Sequence, residues 1–288
     1  MITASLVNDL RKKTNAGMMD CKRALEETQG DLEAAAKLLR EKGIVKASSK
    51  ADRAANEGII TARLSENGKS GILLEVNCET DFVSRNDNFQ GFVNGLADTL
   101  IASSAADLDA AQQVSFLGAP VEETVKAKIA EVGENLQFRK YVRFDAAGEG
   151  AVSSYIHMGG KVGVLIEVGA GNAETASTAG FRELVKDLTL HIAAAAPRGL
   201  SREDIPADVV EAEKDIFRAQ LADSGKPANI IENIINGKIA KYFAESCFLE
   251  QGFVKDPDTS ITKLLEAKGK ELGDTLTVRR FVRFGLGE

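Results

Sequence analysis

The stretch EGIITARLSENGKSGILLEVN (residues 57–77) occurs a second time in this chain, as EGAVSSYIHMGGKVGVLIEVG (149–169). The two copies align without a gap at an offset of 92 residues. The matched residues include Gly58/Gly150, Gly68/Gly160, Lys69/Lys161, Gly71/Gly163 and Glu75/Glu167. Each copy has two largely apolar runs separated by a turn with glycine, a pattern that predicts a β-hairpin.

A second matched pair, GENLQFRKYVRFD (133–145) and GDTLTVRRFVRFG (273–285), lies at a larger offset of 140 residues. Alternation of apolar and polar residues predicts one strand in each segment. Because the offset grows between the two pairs, the second half must contain about 48 additional residues before its last strand. We place this insertion near residues 201–250.

The insertion contains two segments, 201–225 and 228–243, whose apolar residues recur at helical spacing. The turn SGKP (224–227) separates them. We therefore predict an antiparallel helical hairpin that projects from the body. Any part of its apolar stripe that is not used in self-packing should meet a second protein.

Residues 3–43 have the pattern of three short helices, the last of which begins after Asp31 and ends at Gly43. Residues 44–56 are small, polar and basic, which predicts a linker or a frayed helix. The first 55 residues carry eleven Lys/Arg and eight Asp/Glu, whereas the whole chain has a net charge of −7. A basic module on an acidic body suggests a docking surface for an acidic partner.

The predicted fold class is therefore α+β, with an N-terminal three-helix domain followed by two related α+β subdomains. The predicted docking domain is 1–50 and the first core subdomain is 51–148. The second core subdomain combines 149–204 with 246–288, and the helical hairpin at 205–245 is inserted into it. A length of 288 residues, 44% of them hydrophobic, suits two modest domains.

The composition also excludes several classes of function. The negative net charge argues against binding that depends on nucleic-acid phosphates, and no phosphate-binding GxxxxGK[ST] loop is present. Cys21, Cys78 and Cys247 are scattered, which indicates free thiols in a reducing compartment. No apolar signal core or membrane-spanning run occurs, so we expect a soluble cytoplasmic protein.

Catalytic signatures are also missing from the sequence. The only histidines, His157 and His191, do not lie in a metal-binding motif. A Cys78–His157 pair is conceivable, although nothing in the spacing favours it. We therefore predict no metal site, no cofactor and no covalent chemistry.

The segment CETDFVSRND (78–87) places Phe82 among charged residues, in what we predict to be a loop. At the offset of 92 residues, Thr80, Asp81, Phe82 and Val83 correspond to Asn172, Ala173, Glu174 and Thr175. The second half has no phenylalanine at the matched position, so the shared fold does not require one.

Two interpretations of Phe82 are open at this point. It packs locally against Phe89 or Phe92, or it is presented to a partner from a loop held by a rigid scaffold. His157 is likewise specific to its copy, since Ser65 occupies the matched position. It is either a solvated turn histidine or a contact residue.

Three groups of motifs resemble the bacterial elongation factor Ts family over essentially the whole chain. The first is LVNDLRKKTNAGMMDCKRALEETQGDLEAAAKLLREKG (6–43), which is also similar to ubiquitin-associated three-helix domains. The second is ILLEVNCETDFVSRNDNF (72–89). The third comprises SGKP, NGKIAKYF and LEQGFVKD, which fit the inserted coiled-coil region of that family.

The resemblance implies guanine-nucleotide exchange on elongation factor Tu, a GTPase that the factor meets in the GDP-bound and nucleotide-free states. It implies that Thr80, Asp81, Phe82 and Val83 form the loop that intrudes near the Mg²⁺ site of the GTPase, with Phe82 entering an apolar pocket.

By the same resemblance, His157 is a second contact with the GTPase domain, and Arg11, Met18, Met19 and Lys22 form the docking face of the N-terminal domain. The hairpin would serve subunit or partner contacts, and either a homodimer or a 2:2 complex is compatible with it. Neither nucleic acid nor membrane is expected as a direct partner.

Many relatives continue past the last strand with a C-terminal helix that touches the partner. This sequence stops at FVRFGLGE (281–288), which places that contact in doubt. Two rival functions are a binding scaffold, in which the head grips another ligand and the hairpin dimerises, and a thiol enzyme that uses Cys78.

Overall fold

Two antiparallel three-stranded sheets form the centre of the fold in the part of the chain that the computed structural model describes, residues 2–14, 16–48, 50–222 and 224–288. The strands, numbered in chain order, are β1 (Glu57–Leu64), β2 (Ser70–Cys78), β3 (Ser115–Phe116), β4 (Ala119–Pro120), β5 (Gln137–Asp145), β6 (Gly150–His157), β7 (Val162–Gly169), β8 (Gly252–Phe253), β9 (Asp256–Ser260) and β10 (Thr277–Gly285). The strand order is β1-β2-β5 in the first sheet and β6-β7-β10 in the second. Each sheet therefore combines one predicted hairpin with one predicted strand of the second matched pair, as the repeat requires.

Helices cover the outer face of each sheet and form the N-terminal unit. They are α1 (Ala4–Thr14), α2 (Met18–Glu27), α3 (Leu32–Ser48), α4 (Asp81–Ser84), α5 (Asp87–Ala102), α6 (Leu108–Gln113), α7 (Val121–Val132), α8 (Ala173–Ser177), α9 (Ala179–Ala195), α10 (Ala207–Leu221), α11 (Ala228–Ser246) and α12 (Ile261–Leu272). The α+β fold class is confirmed.

The central strands β2 and β7 are buried along almost their whole length. One face of β2 packs against α5 and α7, and the other faces the opposite sheet. Burial on both faces explains why these strands are nearly continuous apolar runs instead of strict alternations. The core between the sheets is formed by one set of three residues from each half, at matched positions: Ile60, Leu73 and Phe144, with Val152, Leu165 and Phe284.

Reciprocal hydrogen bonds join the two sheets. The amide of Ile60 donates to the Gly160 carbonyl (2.8 Å), and the matched amide of Val152 donates to the Gly68 carbonyl (2.9 Å). The turn of each hairpin therefore accepts a backbone hydrogen bond from the first strand of the other half. The two halves are related by an approximate two-fold axis and share one interior.

A buried glutamate in each half continues this reciprocity. Glu167 is 1% exposed and accepts a hydrogen bond from the Ala147 amide at 2.7 Å. Ala147 lies where the chain passes from the first half to the second. Glu75 is completely buried and accepts from the Gly287 amide at 3.0 Å, at the end of the second half. Burial alone would raise the pKa of Glu167, but hydrogen bonds from Ala147, Arg280 and Arg279 lower it below its ordinary value.

The third helix is longer than its sequence pattern indicates. Helix α3 continues to Ser48, through the predicted stop at Gly43 and into the segment predicted to be a linker or a frayed helix. A glycine inside a helix costs only about 1 kcal/mol, which tertiary contacts routinely override, and α3 contacts α7. The expected helix end at Gly43 is therefore wrong.

Helices α10 and α11 lie where the offset of the repeat predicts an insertion, and they contact each other. The Lys238 ammonium of α11 donates to the Gln220 side chain of α10 (2.9 Å) and lies over the ring of Phe217. Helix α11 buries Ile235 and Ile239, whereas α10 buries no residue. A coiled-coil geometry for this pair stays a prediction.

Candidate functional site: the turn that carries Phe82

Phe82 is the most exposed of the large apolar side chains in the described part of the chain, with 84% of its surface accessible. Phe89 and Phe92, the proposed local partners, are 1% and 7% exposed and belong to the core of the first half. The interpretation that Phe82 packs against them is therefore wrong. An exposed aromatic side chain gains no stability for the fold, which favours presentation to a partner.

Thr80–Val83 was predicted as a loop, but the structure places it at the start of helix α4. Thr80 has extended backbone (φ −125°) and acts as the N-cap, with its side-chain oxygen accepting from the Val83 amide. Asp81 lies in the first turn, where a carboxylate interacts favourably with the helix dipole. Its side chain also forms an ion pair with Arg85 at 3.1 Å. The short helix directs Phe82 outward while it holds the backbone in one conformation.

Val83 anchors the turn because its half-buried side chain packs against the core of the first half. Ser84 is buried, and its hydroxyl donates to the Asp81 carbonyl at 3.1 Å. Adjacent positions thus have opposite exposure, with Phe82 outside and Val83 inside.

The second half has the same turn without the aromatic residue. Asn172 is the N-cap of α8, and its side-chain oxygen accepts from the Thr175 amide at 2.9 Å. Thr175 is buried at the position of Val83, and the exposed Glu174 stands where the first half has Phe82. The comparison separates what the scaffold needs, a cap and a buried anchor, from what only the first half presents.

A carboxylate that the sequence did not identify also contacts this turn. Glu134, which follows α7, accepts hydrogen bonds from the amides of Glu79 and Thr80 and from the Thr80 hydroxyl. The signal was present in the repeat, because Glu134 and Asp274 are acidic residues at matched positions.

His157 is exposed at the end of β6, away from the core. Its Nδ1 lies 3.0 Å from the Tyr155 hydroxyl, and the two rings stack with centroids 5.7 Å apart. Met158, the next residue, is 70% exposed and has a positive φ of 50°. The turn after β6 therefore presents a histidine, held by Tyr155, and an apolar side chain.

The four N-terminal candidates lie on the surface of the three-helix unit. Met18 is 53% exposed and Met19 is 64% exposed, because Cys21 and Leu25 occupy the buried face of α2. Arg11 and Lys22 are also exposed, and Lys22 pairs with Glu26 at 3.8 Å. The predicted site residues thus lie on separate parts of the fold: at α4, at the end of β6, and on helices α1 and α2.

The surroundings of Cys78 disfavour its thiolate form, which is the nucleophilic form of a thiol. It is completely buried, and its Sγ donates to the Thr80 carbonyl at 3.2 Å. Burial, together with the carboxylates of Glu134 and Glu57, raises the pKa of Cys78 to about 12. The imidazole of His157 contacts Tyr155 on the surface, so the geometry does not support a thiol enzyme based on Cys78.

In the described part of the chain, no three His, Cys, Asp or Glu residues come together as a metal-binding group. None of the helices described has the length and apolar character needed to cross a bilayer.

Comparisons with known proteins agree with the geometry. A family model described as Elongation factor TS matches residues 79–288. Proteins named Elongation factor Ts from Trichlorobacter lovleyi, Syntrophotalea carbinolica and Clostridium botulinum are 47%, 50% and 45% identical to this chain. Each alignment covers 100% of this chain and 93%, 93% and 94% of the relative, respectively. With two similar halves, an exposed Phe82 turn and similarity along its whole length, the chain belongs to the elongation factor Ts family.

Proposed function

We propose that this protein is a cytoplasmic guanine-nucleotide exchange factor that binds elongation factor Tu in its GDP-bound state and promotes release of GDP. The observation that carries the proposal is Phe82, which is 84% exposed on a turn fixed by Thr80 and Val83. Exchange makes and breaks no covalent bond, so it needs no catalytic nucleophile, metal or cofactor in this chain.

The mechanism follows from the burial of one ring. Transfer of the exposed Phe82 into an apolar pocket of the GTPase supplies about 1.5–3 kcal/mol. That free energy stabilises a GTPase conformation in which the Mg²⁺ and phosphate contacts are displaced. In this proposal Asp81, which is half-exposed beside Phe82, competes for groups around the ion. By linkage, bound GDP lowers the affinity of the GTPase for the exchange protein by the same ratio by which the exchange protein lowers the affinity of the GTPase for GDP.

The test is GDP release from elongation factor Tu loaded with a fluorescent GDP analogue. Phe82→Ala should slow stimulated release by about 10- to 100-fold, because each 1.4 kcal/mol corresponds to a factor of ten. The matched control is Glu174→Ala, which truncates the corresponding side chain in the second half and should leave release unchanged. Stimulated release at the wild-type rate in Phe82→Ala would remove this residue from the mechanism.

The N-terminal unit is proposed as a docking domain for the same GTPase, through Arg11, Met18, Met19 and Lys22. Replacing both methionines by serine should weaken affinity about tenfold with little effect on stability, since both side chains are exposed. Val254→Ser, at a 42% exposed residue of the second half, serves as the control. Equal affinity of the double variant and the wild type in a titration would contradict the docking role.

His157 is proposed as a second contact with the GTPase, because its exposed ring is held in place by Tyr155. The stoichiometry of the complex, 1:1 or 2:2, and any contribution of α10 and α11 to it, would be measured by light scattering on the purified complex.

A further inference from the structure

The carboxylate of Glu134, which is distant in sequence, accepts hydrogen bonds from the turn that carries Phe82. Its Oε2 accepts from the amides of Glu79 (3.2 Å) and Thr80 (3.1 Å), and its Oε1 accepts from the Thr80 hydroxyl (2.7 Å). Three donors that directly precede α4 thus converge on one side chain. Hydrogen bonds to a carboxylate are roughly twice as strong as neutral ones.

The hold is reciprocal. Glu79 Oε1 accepts from the Asn135 amide at 2.6 Å, so each acidic side chain binds the backbone beside the other. Asn135, which is 1% exposed, donates through its side chain to the carbonyls of Ala51 and Arg53. The segment that contains Glu134 is therefore itself anchored by hydrogen bonds to a third part of the chain.

The second half has the same arrangement of a carboxylate that accepts hydrogen bonds from a turn, but its turn carries no aromatic residue. Asp274, at the position matched to Glu134, accepts through Oδ2 from the amides of Gly171 (3.0 Å) and Asn172 (3.2 Å) and from the Asn172 side chain (3.1 Å). This carboxylate stabilises the same kind of turn, but the turn presents Glu174 in place of Phe82. The protein thus contains an internal control for the effect of the carboxylate on folding alone.

We propose that Glu134 is a positioning residue for nucleotide exchange, acting through Phe82, an inference that rests on the proposed function. Glu134 fixes the backbone before α4, and α4 fixes the direction of the exposed ring. A ring held in its binding orientation loses less conformational entropy when it enters a pocket than one on a mobile turn. Without the carboxylate, the turn samples other conformations and the ring engages the GTPase less often.

The decisive experiment is a double-mutant cycle on stimulated GDP release, with Glu134→Ala, Phe82→Ala and the combined variant. We expect Glu134→Ala alone to slow release about tenfold, the size of effect expected when charge-assisted hydrogen bonds are lost. In the Phe82→Ala background the same change should have an effect of less than about twofold, because residues that act through each other are not additive. Full additivity would overturn the proposal.

Two further variants separate positioning from stability. Glu134→Gln keeps one acceptor oxygen and the shape of the side chain but loses the charge and the second acceptor, so its rate should lie between those of Glu134→Ala and the wild type. Asp274→Ala removes the matched carboxylate of the second half and should leave release near the wild-type rate. A loss with Asp274→Ala as large as with Glu134→Ala would show that general destabilisation explains both, and would also overturn the proposal.

Amide hydrogen exchange provides a readout that does not depend on the GTPase. In the free protein, the amides of Glu79 and Thr80 should exchange faster in Glu134→Ala than in the wild type, while the amides of Gly171 and Asn172 should be unchanged. If the amides of Glu79 and Thr80 exchange faster in Glu134→Ala but the wild type does not accelerate GDP release, the proposed function is refuted, whereas the stabilisation of the turn by Glu134 is supported. If the wild type accelerates release and the amides do not respond, the positioning role is refuted.

Discussion

Replacement of Gly163 by alanine tests how closely the two sheets approach each other. A Cβ atom at Gly163 would lie 2.4 Å from Ile60 Cγ2 and 2.8 Å from Leu73 Cδ1, both well inside van der Waals contact. Ile60 and Leu73 are 1% and 0% exposed, so neither side chain can relieve the contact by moving into solvent. Forcing a methyl group into a packed core typically costs about 1–3 kcal/mol, and we expect Gly163→Ala to lose stability by that amount.

Urea unfolding followed by circular dichroism measures this loss. The matched control is Gly237→Ala in α11, where a Cβ meets no atom within 4 Å. There the same change should raise stability by up to about 1 kcal/mol, because alanine is the better helix former. The two substitutions are chemically identical and should have opposite signs. Equal or higher stability of Gly163→Ala would refute the close packing between the halves.

Two further predictions concern buried titratable groups. Burial lowers the pKa of His191 below 6.5 despite its hydrogen bond to Gln251, so the unfolded chain binds this proton more readily than the folded one. Stability should therefore fall as the pH decreases below about 6.5, and His191→Gln should show a flatter profile of urea midpoints between pH 7.5 and 5. An unchanged slope would contradict this assignment. Cys78, with a pKa of about 12, should react with a thiol reagent at pH 8 only after denaturation, as mass spectrometry of the labelled protein would show. Rapid labelling of native Cys78 would be the contrary result.

The internal repeat made most of the fold predictable. Matched glycines and apolar runs define both hairpins, because an apolar run and a glycine turn are local properties of the chain. The change in offset between the two matched pairs located α10 and α11 without any structural information. The comparison of the halves also showed that the scaffold does not need Phe82, in agreement with its 84% exposure.

Features that depend on distant contacts were not predictable in this way. Helix α3 passes through Gly43 and contacts α7, and no local pattern reports that contact. The polar composition around Phe82 indicated a loop, whereas the Thr80 cap and the buried Val83 stabilise a short helix. Glu134 lies more than 50 residues from the turn that it holds, so its role became visible only once the chain was folded.

The reciprocal contacts between Glu75 and Gly287 and between Glu167 and Ala147 have the symmetry of contacts between two identical subunits. Each half contributes the same kind of donor to the same kind of acceptor in the other, which is the defining property of an isologous dimer interface. The present chain therefore has the architecture of such a dimer within a single polypeptide. Because the two halves are parts of one chain, they need not be identical: the first presents an exposed aromatic side chain, and the second contains α10 and α11.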